Sequence, residues 1–302
     1  AVEGKYWNPT LEKFTAQQWE YKIKEVANAG LRYLVLLDIA IYDKSFYPSK
    51  LLPQHQLGCD DPLETILSAA DKYGIRFFIS NGFFGDWYDS VFIMQDKAVN
   101  VLRLKSMNEV AEKYSHHRSF YGWYYPNETG ISGHYDDVFI NYVNGSSVEA
   151  RKLTPKAKIL IAPYGTRNVK ADDKYVRQLE QLDVDIIAYQ DEIVVQKTKP
   201  EESAAIFERL YNAHKKVAKA RLWADIEVFR FEDKVYKSAL LPASSERVMQ
   251  QLEAVSPYVE KILIYQYGGL INKPGSLVFA GPEESTQLYE GLVKHGYLQD
   301  RE

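Results

Sequence analysis

Cysteine is almost absent from this chain of 302 residues, with Cys59 as the one example. An internal disulfide and any zinc site built from several cysteines are therefore excluded. No apolar stretch reaches the roughly 18 residues that a membrane-spanning helix needs, so we predict no membrane span. Lys and Arg form no cluster and the formal net charge is −4, which argues against a nucleic-acid partner.

Histidine is also sparse. The six His residues, at positions 55, 116, 117, 134, 214 and 295, match no common metal-binding spacing. His116 and His117 lie where a helix is expected to end, and positive charge is favoured at a helix C-terminus, so we predict a structural role for them. The sequence therefore predicts no metal site and no cofactor.

Aromatic residues, by contrast, are abundant. The chain has 23 Tyr, 13 Phe and 5 Trp. Tyr and Trp combine a flat apolar face with a polar tip, which suits the C–H faces and hydroxyl groups of sugars. A tyrosine-rich core would give the same composition, so composition alone does not separate the two interpretations.

Eight apolar, β-rich runs alternate along the chain with segments of helical period. Continuous apolar runs are typical of parallel strands that are covered on both faces. The runs are 3–9, 33–42, 75–84, 120–128, 158–165, 184–192, 221–229 and 261–269. The helix candidates are 15–30, 61–74, 96–115, 134–153, 172–182, 201–218, 244–255 and 285–295.

This alternation predicts a single (β/α)8 barrel domain over residues 1–302. The main alternative is a doubly wound open sheet, which usually carries a Gly-rich phosphate-binding turn after its first strand, and "YWNPTLEKF" has none.

The chain begins at Ala1 rather than Met, so we expect that a signal peptide or cloned flanking sequence was removed.

The carboxyl ends of the predicted strands carry acids, amides and aromatic residues, and active sites of such barrels form at that end. The candidate site residues are Trp7, Asp38, Asn81, Trp87, Asn127, Glu128, Tyr164, Gln190, Asp191, Asp225, Glu227 and Tyr265. Glycoside hydrolysis needs two carboxyl groups beside one bond. Glu128 after the fourth strand and Glu227 at the end of the seventh would face each other across the barrel mouth. We therefore predict a two-carboxylate hydrolase acting on a carbohydrate.

In this hypothesis Glu128 is the general acid/base and Glu227 the nucleophile, with retention of configuration if the carboxyls lie about 5–5.5 Å apart. The other candidates would contact the substrate, and Asp38 is also a candidate for a buried, hydrogen-bonded acid. Apolar neighbours of Glu128, such as Tyr124 and Pro126, would raise its pKa.

The identity of the second carboxylate stays open. Alternate residues of a strand point to the same face, so parity does not distinguish Asp225 from Glu227. Asp191, at the end of the sixth strand, is a further candidate.

Ordinary ion pairs are the structural alternative to catalysis. Glu128 would then pair with a loop arginine such as Arg167, and Glu227 with the nearby Arg230.

An Asn-Glu dipeptide at the end of strand four with a Glu ending strand seven resembles the large retaining glycosidase superfamily that includes cellulases and β-galactosidases. The resemblance implies an acid/base role for Glu128 and a nucleophile role for Glu227.

A second resemblance covers roughly the first 130 residues. "FTAQQWEYKIKEVANAGLRYLVL", "YGIRFFIS" and "MNEVAEKY…FYGWYYPNE" are similar to α-L-fucosidase-like barrels. That family places a catalytic Asp near the position of Glu128. Its paired histidines after strand two hold fucose, and this chain reads "LLDIAIYDKSF" there, so the resemblance does not extend to fucose specificity.

Including "YQDE" and "WADIEVF", the chain also resembles a poorly characterised group of glycosidase-like barrels from gut bacteria, often labelled as candidate α-L-fucosidases. That resemblance implies export, with a periplasmic or cell-surface location. Because a barrel fold does not fix function, a barrel that binds glycans or scaffolds a partner without turnover is the alternative hypothesis.

Overall fold

Seven parallel strands form the central sheet in the part of the chain that the computed structural model describes, residues 8–128 and 130–301. The strands, in chain order, are β1 (Tyr33–Val35), β2 (Ala40–Ile41), β3 (Lys44–Ser45), β4 (Arg76–Ser80), β5 (Phe120–Tyr125), β6 (Lys158–Ile161), β7 (Ile186–Gln190), β8 (Arg221–Glu227), β9 (Phe229–Phe231), β10 (Leu240–Pro242) and β11 (Ile262–Tyr265). The sheet order is β1-β4-β5-β6-β7-β8-β11, which follows the chain, and every pairing in it is parallel. Two antiparallel hairpins, β2–β3 and β9–β10, follow β1 and β8.

Helices alternate with the sheet strands. They are α1 (Asn8–Leu11), α2 (Ala16–Asn28), α3 (Pro62–Tyr73), α4 (Ser90–Gln95), α5 (Lys97–Tyr114), α6 (Asp137–Leu153), α7 (Asp173–Gln181), α8 (Pro200–Val217), α9 (Ser245–Val255) and α10 (Glu284–Lys294). Each predicted helix has a counterpart, whereas α1, α4 and the two hairpins were not predicted. Over the described ranges, no helix combines the length and apolar character needed to cross a membrane.

The fold is a (β/α)8 barrel, as predicted from the alternation of apolar runs and helical segments. The predicted second to eighth strands correspond to β1, β4, β5, β6, β7, β8 and β11. The predicted first strand, 3–9, lies outside the described residues apart from Asn8 and Pro9, and these two residues belong to α1.

Local sequence signals set several helix ends. At the start of α2, the hydroxyl of Thr15 accepts a hydrogen bond from the Gln18 amide at 3.3 Å, and the Gln18 side chain accepts one from the Thr15 amide at 2.9 Å. This reciprocal capping box satisfies two N–H groups that the helix leaves free. At the end of α3, Gly74 has φ 71°, a left-handed conformation that glycine adopts without penalty.

An aromatic layer fills the barrel interior below the mouth. Tyr33 of β1 meets Trp223 of β8 edge to face, with ring centroids 5.2 Å apart, although β1 and β8 are not neighbours in the sheet. Phe78 of β4 contacts the same indole at 6.3 Å. These contacts require the sheet to curl around a packed centre, as a barrel does. Residues at the carboxyl ends of the strands, the barrel mouth, therefore lie above this layer.

Gly122 in β5 lies where a side chain has no room. A β-carbon there would come within 2.2 Å of the Lys158 carbonyl oxygen and 2.8 Å of the Phe78 ring. We expect Gly122→Ala to lower the free energy of unfolding by about 2 kcal/mol or more, because the backbone of β6 must move. Gly145 on α6 is the matched control, since a β-carbon there meets nothing within 4 Å. Gly145→Ala should raise the free energy of unfolding by up to about 1 kcal/mol through helix propensity.

Chemical denaturation of both variants, followed by circular dichroism, measures these changes. Equal midpoints for Gly122→Ala and wild type would contradict the close approach of β5 to β6.

Candidate active site

Glu128 lies in the barrel mouth, three residues beyond the end of β5. The Tyr124 hydroxyl donates a hydrogen bond to its Oε1 at 2.9 Å, and Gln190 at the end of β7 donates from Nε2 to its Oε2 at 2.7 Å. The same Gln190 nitrogen also donates to the carbonyl oxygen of Ala162 at 3.0 Å. These bonds fix the orientation of the Glu128 carboxyl group.

Burial raises the pKa of Glu128 to about 7. The negative charge of Glu192 acts in the same direction, whereas the hydrogen bonds from Gln190 and Tyr124 and the charge of Lys197 favour the ionised form. Near neutral pH this carboxyl group can therefore both give and take a proton, which a general acid/base must do.

Glu227 is the last residue of β8, and its Oε2 accepts hydrogen bonds from the amides of Val194 at 2.6 Å and Val195 at 3.2 Å. These bonds tie the loop after β7 to the end of β8. Burial, followed by the charge of Asp191, raises the pKa of Glu227 to about 8. Among the described residues, Oε1 of Glu227 accepts no hydrogen bond.

Asp225 lies on the same face of β8 as Glu227, two residues before it. Burial is the main reason that its pKa lies well above the ordinary range, and the charges of Glu128, Asp191 and Glu227 raise the pKa further. No described residue donates a hydrogen bond to its carboxyl group. Burial and three neighbouring charges therefore all favour the protonated form of Asp225.

Asp191 forms hydrogen bonds to the end of β8 from the helix side of the sheet. Its Oδ1 accepts a hydrogen bond from the Glu227 amide at 3.2 Å, and its Oδ2 accepts one from Nε2 of Gln251 on α9 at 2.6 Å. Burial raises the pKa of Asp191 to about 6. Asp191 is thus bonded to the backbone of β8 and to α9, and it fixes the position of Glu227.

We define the acid cluster as Glu128, Asp191, Asp225 and Glu227. None of the four forms an ion pair with a described residue. Two arginines that could have neutralised the cluster pair elsewhere: Arg167 lies 3.3 Å from Glu202, and Arg230 lies 3.8 Å from Glu284.

Cations nevertheless lie close to the cluster. Lys197 forms an ion pair with the buried Glu192 at 3.1 Å, and Glu192 also accepts bonds from the amides of Gly165 and Thr166 at 2.6 and 3.0 Å. Glu192 therefore has an ion-pair partner and two backbone donors within its own part of the barrel, unlike the acids of the cluster. The half-buried Arg247 donates to the carbonyl oxygens of Glu227 and Phe229 rather than to a carboxylate.

The two predicted asparagines lie on the helix side of the sheet. Asn127 donates to the Tyr142 hydroxyl at 3.3 Å, and that hydroxyl donates to Asn81 at 3.1 Å. Asn81 also donates to the hydroxyl of Ser146 at 3.3 Å, and both asparagines are fully buried. Their amides join the ends of β4 and β5 to α6.

Asp38 anchors backbone at the end of β1. Its Oδ1 accepts bonds from the amides of Ala40 at 3.0 Å and Phe83 at 2.8 Å, and burial raises its pKa to about 8. Its other oxygen is buried and has no hydrogen bond within the described part of the chain.

The aromatic candidates are distributed around the rim. Tyr164 lies beneath Lys197, whose nitrogen is 4.7 Å from the ring centroid. Tyr265 pairs in register with Glu227 and packs edge to face on Phe229 at 6.1 Å. Trp7 lies outside the described residues.

The backbone of the remaining aromatic candidate, Trp87, starts a short 3₁₀ turn, Trp87–Asp89. Its side chain is not among those described.

Sequence reasoning missed Lys197 and the amides of Val194 and Val195. All three lie in the loop after β7, where the predicted strand had already ended. The sequence does show a lysine, Lys197, a few residues after the acid pair Asp191–Glu192 at the end of the strand. Whether that lysine lies near the barrel mouth depends on the conformation of the loop, which the sequence pattern does not predict.

The chain belongs to the family described as Domain of unknown function (DUF4434), whose model matches residues 2–278. This description names no activity. A comparison with curated proteins found no match.

Comparison with solved structures finds glycosidase barrels. A protein from Bacteroides thetaiotaomicron VPI-5482, described as a "putative alpha-L-fucosidase", is 16% identical with a TM-score of 0.74, and the match covers 94% of this chain and 88% of that one. The endo-1,4-beta-mannanase from Rhizomucor miehei is 9% identical with a TM-score of 0.59, covering 96% and 95%. A beta-galactosidase from Marinomonas ef1 is 10% identical with a TM-score of 0.62, covering 93% of this chain and 58% of its own. These likenesses establish a glycosidase-like fold.

The pKa of Asp225 predicts how stability depends on pH. Since folding raises this pKa above its unfolded value of about 3.9, the folded protein holds the proton more tightly, and stability falls as pH rises above that value. Asp225→Asn removes this penalty. The variant should therefore exceed wild type in Tm by more at pH 8 than at pH 5, by about 2–4 °C for each kcal/mol relieved.

Differential scanning calorimetry at both pH values measures this difference. The control is Glu253→Gln, which changes an exposed acid on α9 and should leave the Tm close to that of wild type at both values. An Asp225→Asn difference that is the same at pH 5 and pH 8 would contradict the raised pKa.

Proposed function

We propose that the protein is a retaining glycoside hydrolase with Glu128 as the general acid/base and Glu227 as the nucleophile. One observation carries the proposal: carboxyl groups from two non-adjacent strands, β5 and β8, share the mouth of a glycosidase-like barrel without forming ion pairs with any described residue. Salt bridges with Arg167 and Arg230 would have favoured the structural alternative, and those arginines pair elsewhere.

The proposed reaction uses the two carboxyls in two steps. Protonated Glu128 gives its proton to the glycosidic oxygen while Oε1 of Glu227 attacks the anomeric carbon, so that the leaving alcohol departs and a covalent glycosyl ester forms. Glu128, now ionised, then takes a proton from water as that water attacks the same carbon and releases Glu227. A pKa of about 7 for Glu128 suits both steps.

The anchoring of Glu227 supports its role as the nucleophile over Asp225. Two backbone amides donate to Oε2 of Glu227 and favour its ionised form, against burial and the charge of Asp191, which raise its pKa to about 8. The reactive form in this proposal is therefore the one in which Glu128 holds the proton and Glu227 is ionised, with Oε1 as the attacking atom. Asp225 has no such donor among the described residues, and its pKa lies well above the ordinary range, so we assign it a proton. As a neutral acid near Glu128 and Glu227, it would donate a hydrogen bond to a sugar hydroxyl.

A carbohydrate substrate is further supported by the exposed apolar rim beside Glu128. The hydroxyl of Ser90, the first residue of α4, is 3.5 Å from the carbonyl oxygen of Glu128. The neighbouring side chains of Tyr88, Val91 and Phe92 are exposed, with Tyr88 at 91%. Flat aromatic faces of this kind stack on the C–H faces of sugar rings.

The test compares Glu128→Gln with wild type on glycosides whose leaving groups differ in basicity, near pH 6. A poor leaving group such as an alkyl alcohol needs a proton, whereas a dinitrophenolate leaves without one. We expect kcat/KM to fall by about 10²–10⁴ for alkyl glycosides and by much less for dinitrophenyl glycosides.

Glu227→Gln should lose turnover on both substrate classes, because no leaving group replaces the nucleophile. The control is Glu260→Gln, which removes an exposed partner of Arg221 at the opposite end of β8 and should leave kcat/KM unchanged. A loss in Glu128→Gln that does not depend on the leaving group would remove Glu128 as the acid. No turnover by wild type on a broad panel of aryl glycosides and oligosaccharides would reject the proposed function.

A further inference from the structure

A second cluster of potential ligands lies at the other end of the barrel from the mouth. Glu64 is in the first turn of α3, and His116 and His117 follow α5 and precede the first residue of β5. One ligand atom from each of these three residues lies within 4.8 Å of the other two. Within the described ranges, this is the one such group of three or more His, Cys, Asp or Glu.

The orientation of His117 is fixed by a carboxylate behind it. Oδ2 of Asp71, two turns after Glu64 on α3, lies 2.9 Å from Nδ1 of His117. Asp71 is itself held by the Ser119 amide, which donates to its Oδ1 at 2.5 Å. Nδ1–H therefore donates to Asp71, and Nε2 turns toward Glu64. A carboxylate that orients a histidine in this way is the usual partner of a metal-bound imidazole.

Nε2 of His117 then faces Oε2 of Glu64 at 3.1 Å. Both atoms carry lone pairs when the histidine is neutral, so the contact is stable only with a cation between them or with a proton on Nε2. Two ligands about 2.0–2.1 Å from a tetrahedral zinc ion lie about 3.3 Å apart, close to this separation. The imidazole of His116 lies against that of His117, with ring centroids 4.2 Å apart and the ring planes inclined by 35°, an arrangement that two imidazolium ions would oppose.

We propose that Glu64, His116 and His117 bind a zinc ion, with Asp71 orienting His117. Two imidazole nitrogens and one carboxylate oxygen form a donor set that suits zinc rather than magnesium or calcium, which prefer oxygen ligands. His117 is buried, whereas His116 is exposed and can rotate to complete the site. The ion joins α3 to the turn before β5, so its role is to hold these two segments together.

Binding of metal ions to the full chain tests the proposed site directly. After treatment with a chelator and dialysis, wild type should bind one equivalent of Zn²⁺ by calorimetry, and Co²⁺ should give the visible absorption of a tetrahedral site. Zn²⁺ should raise the Tm, because it binds the folded state. Asp71→Asn should weaken binding about 10–100-fold while the three ligands remain.

The double variant Glu64→Gln/His116→Gln should lose the Co²⁺ absorption and the effect of Zn²⁺ on the Tm. Both side chains are at least partly exposed, so the variant should fold, and its circular dichroism without metal checks this. The control is His134→Gln, which removes a histidine paired with Asp172 at 2.9 Å and should bind like wild type. Equal binding by the double variant, or no binding by wild type, would overturn the proposal and leave a proton on Nε2 of His117 as the bridge.

Discussion

The candidate site depends on one electrostatic constraint, which is that carboxyl groups buried close together without a neutralising cation cannot all ionise. Glu128, Asp225 and Glu227 share the barrel mouth, and burial is the leading cause of the raised pKa of each. The cluster must therefore retain protons near neutral pH. Such an arrangement does not stabilise the folded protein, because a carboxyl group retains its proton where burying the ionised form costs free energy. In the proposed reaction, the same arrangement supplies a proton donor beside an ionised acid.

The surrounding structure positions these acids without neutralising them. Amides of the loop after β7 hold one oxygen of Glu227, while Asp191 and Gln251 hold the backbone at the end of β8. Tyr124 and Gln190 fix Glu128. These hydrogen bonds come from neutral groups, which orient a carboxylate and support its charge less than an ion pair would. By contrast, Glu192 forms an ion pair with Lys197.

Much of the fold followed from the sequence, because barrel strands and their helices have local signals such as the Thr15 cap. The placement of Glu128 at a strand end also followed from strand counting. The direction of side chains beyond the strand ends could not be predicted from the sequence. Asn127 is adjacent to Glu128, yet it forms a hydrogen bond with α6 on the opposite side of the sheet. The position of Lys197 near the acid cluster depends on the conformation of the loop after β7, and hydrophobic periodicity does not predict loop conformation. Export, the single domain and the catalytic roles stay predictions.

The most direct test of the proton-sharing acid cluster is a carbon-13 NMR titration of side-chain carboxyl groups in the labelled protein. We expect carboxyl signals that titrate above pH 6, with one lost in each of Glu128→Gln, Asp225→Asn and Glu227→Gln. Because the groups interact, each substitution should also lower the midpoints of the signals that remain. Complete ionisation of every carboxyl group by pH 5 would contradict the account, since the mouth would then contain separately stabilised charges.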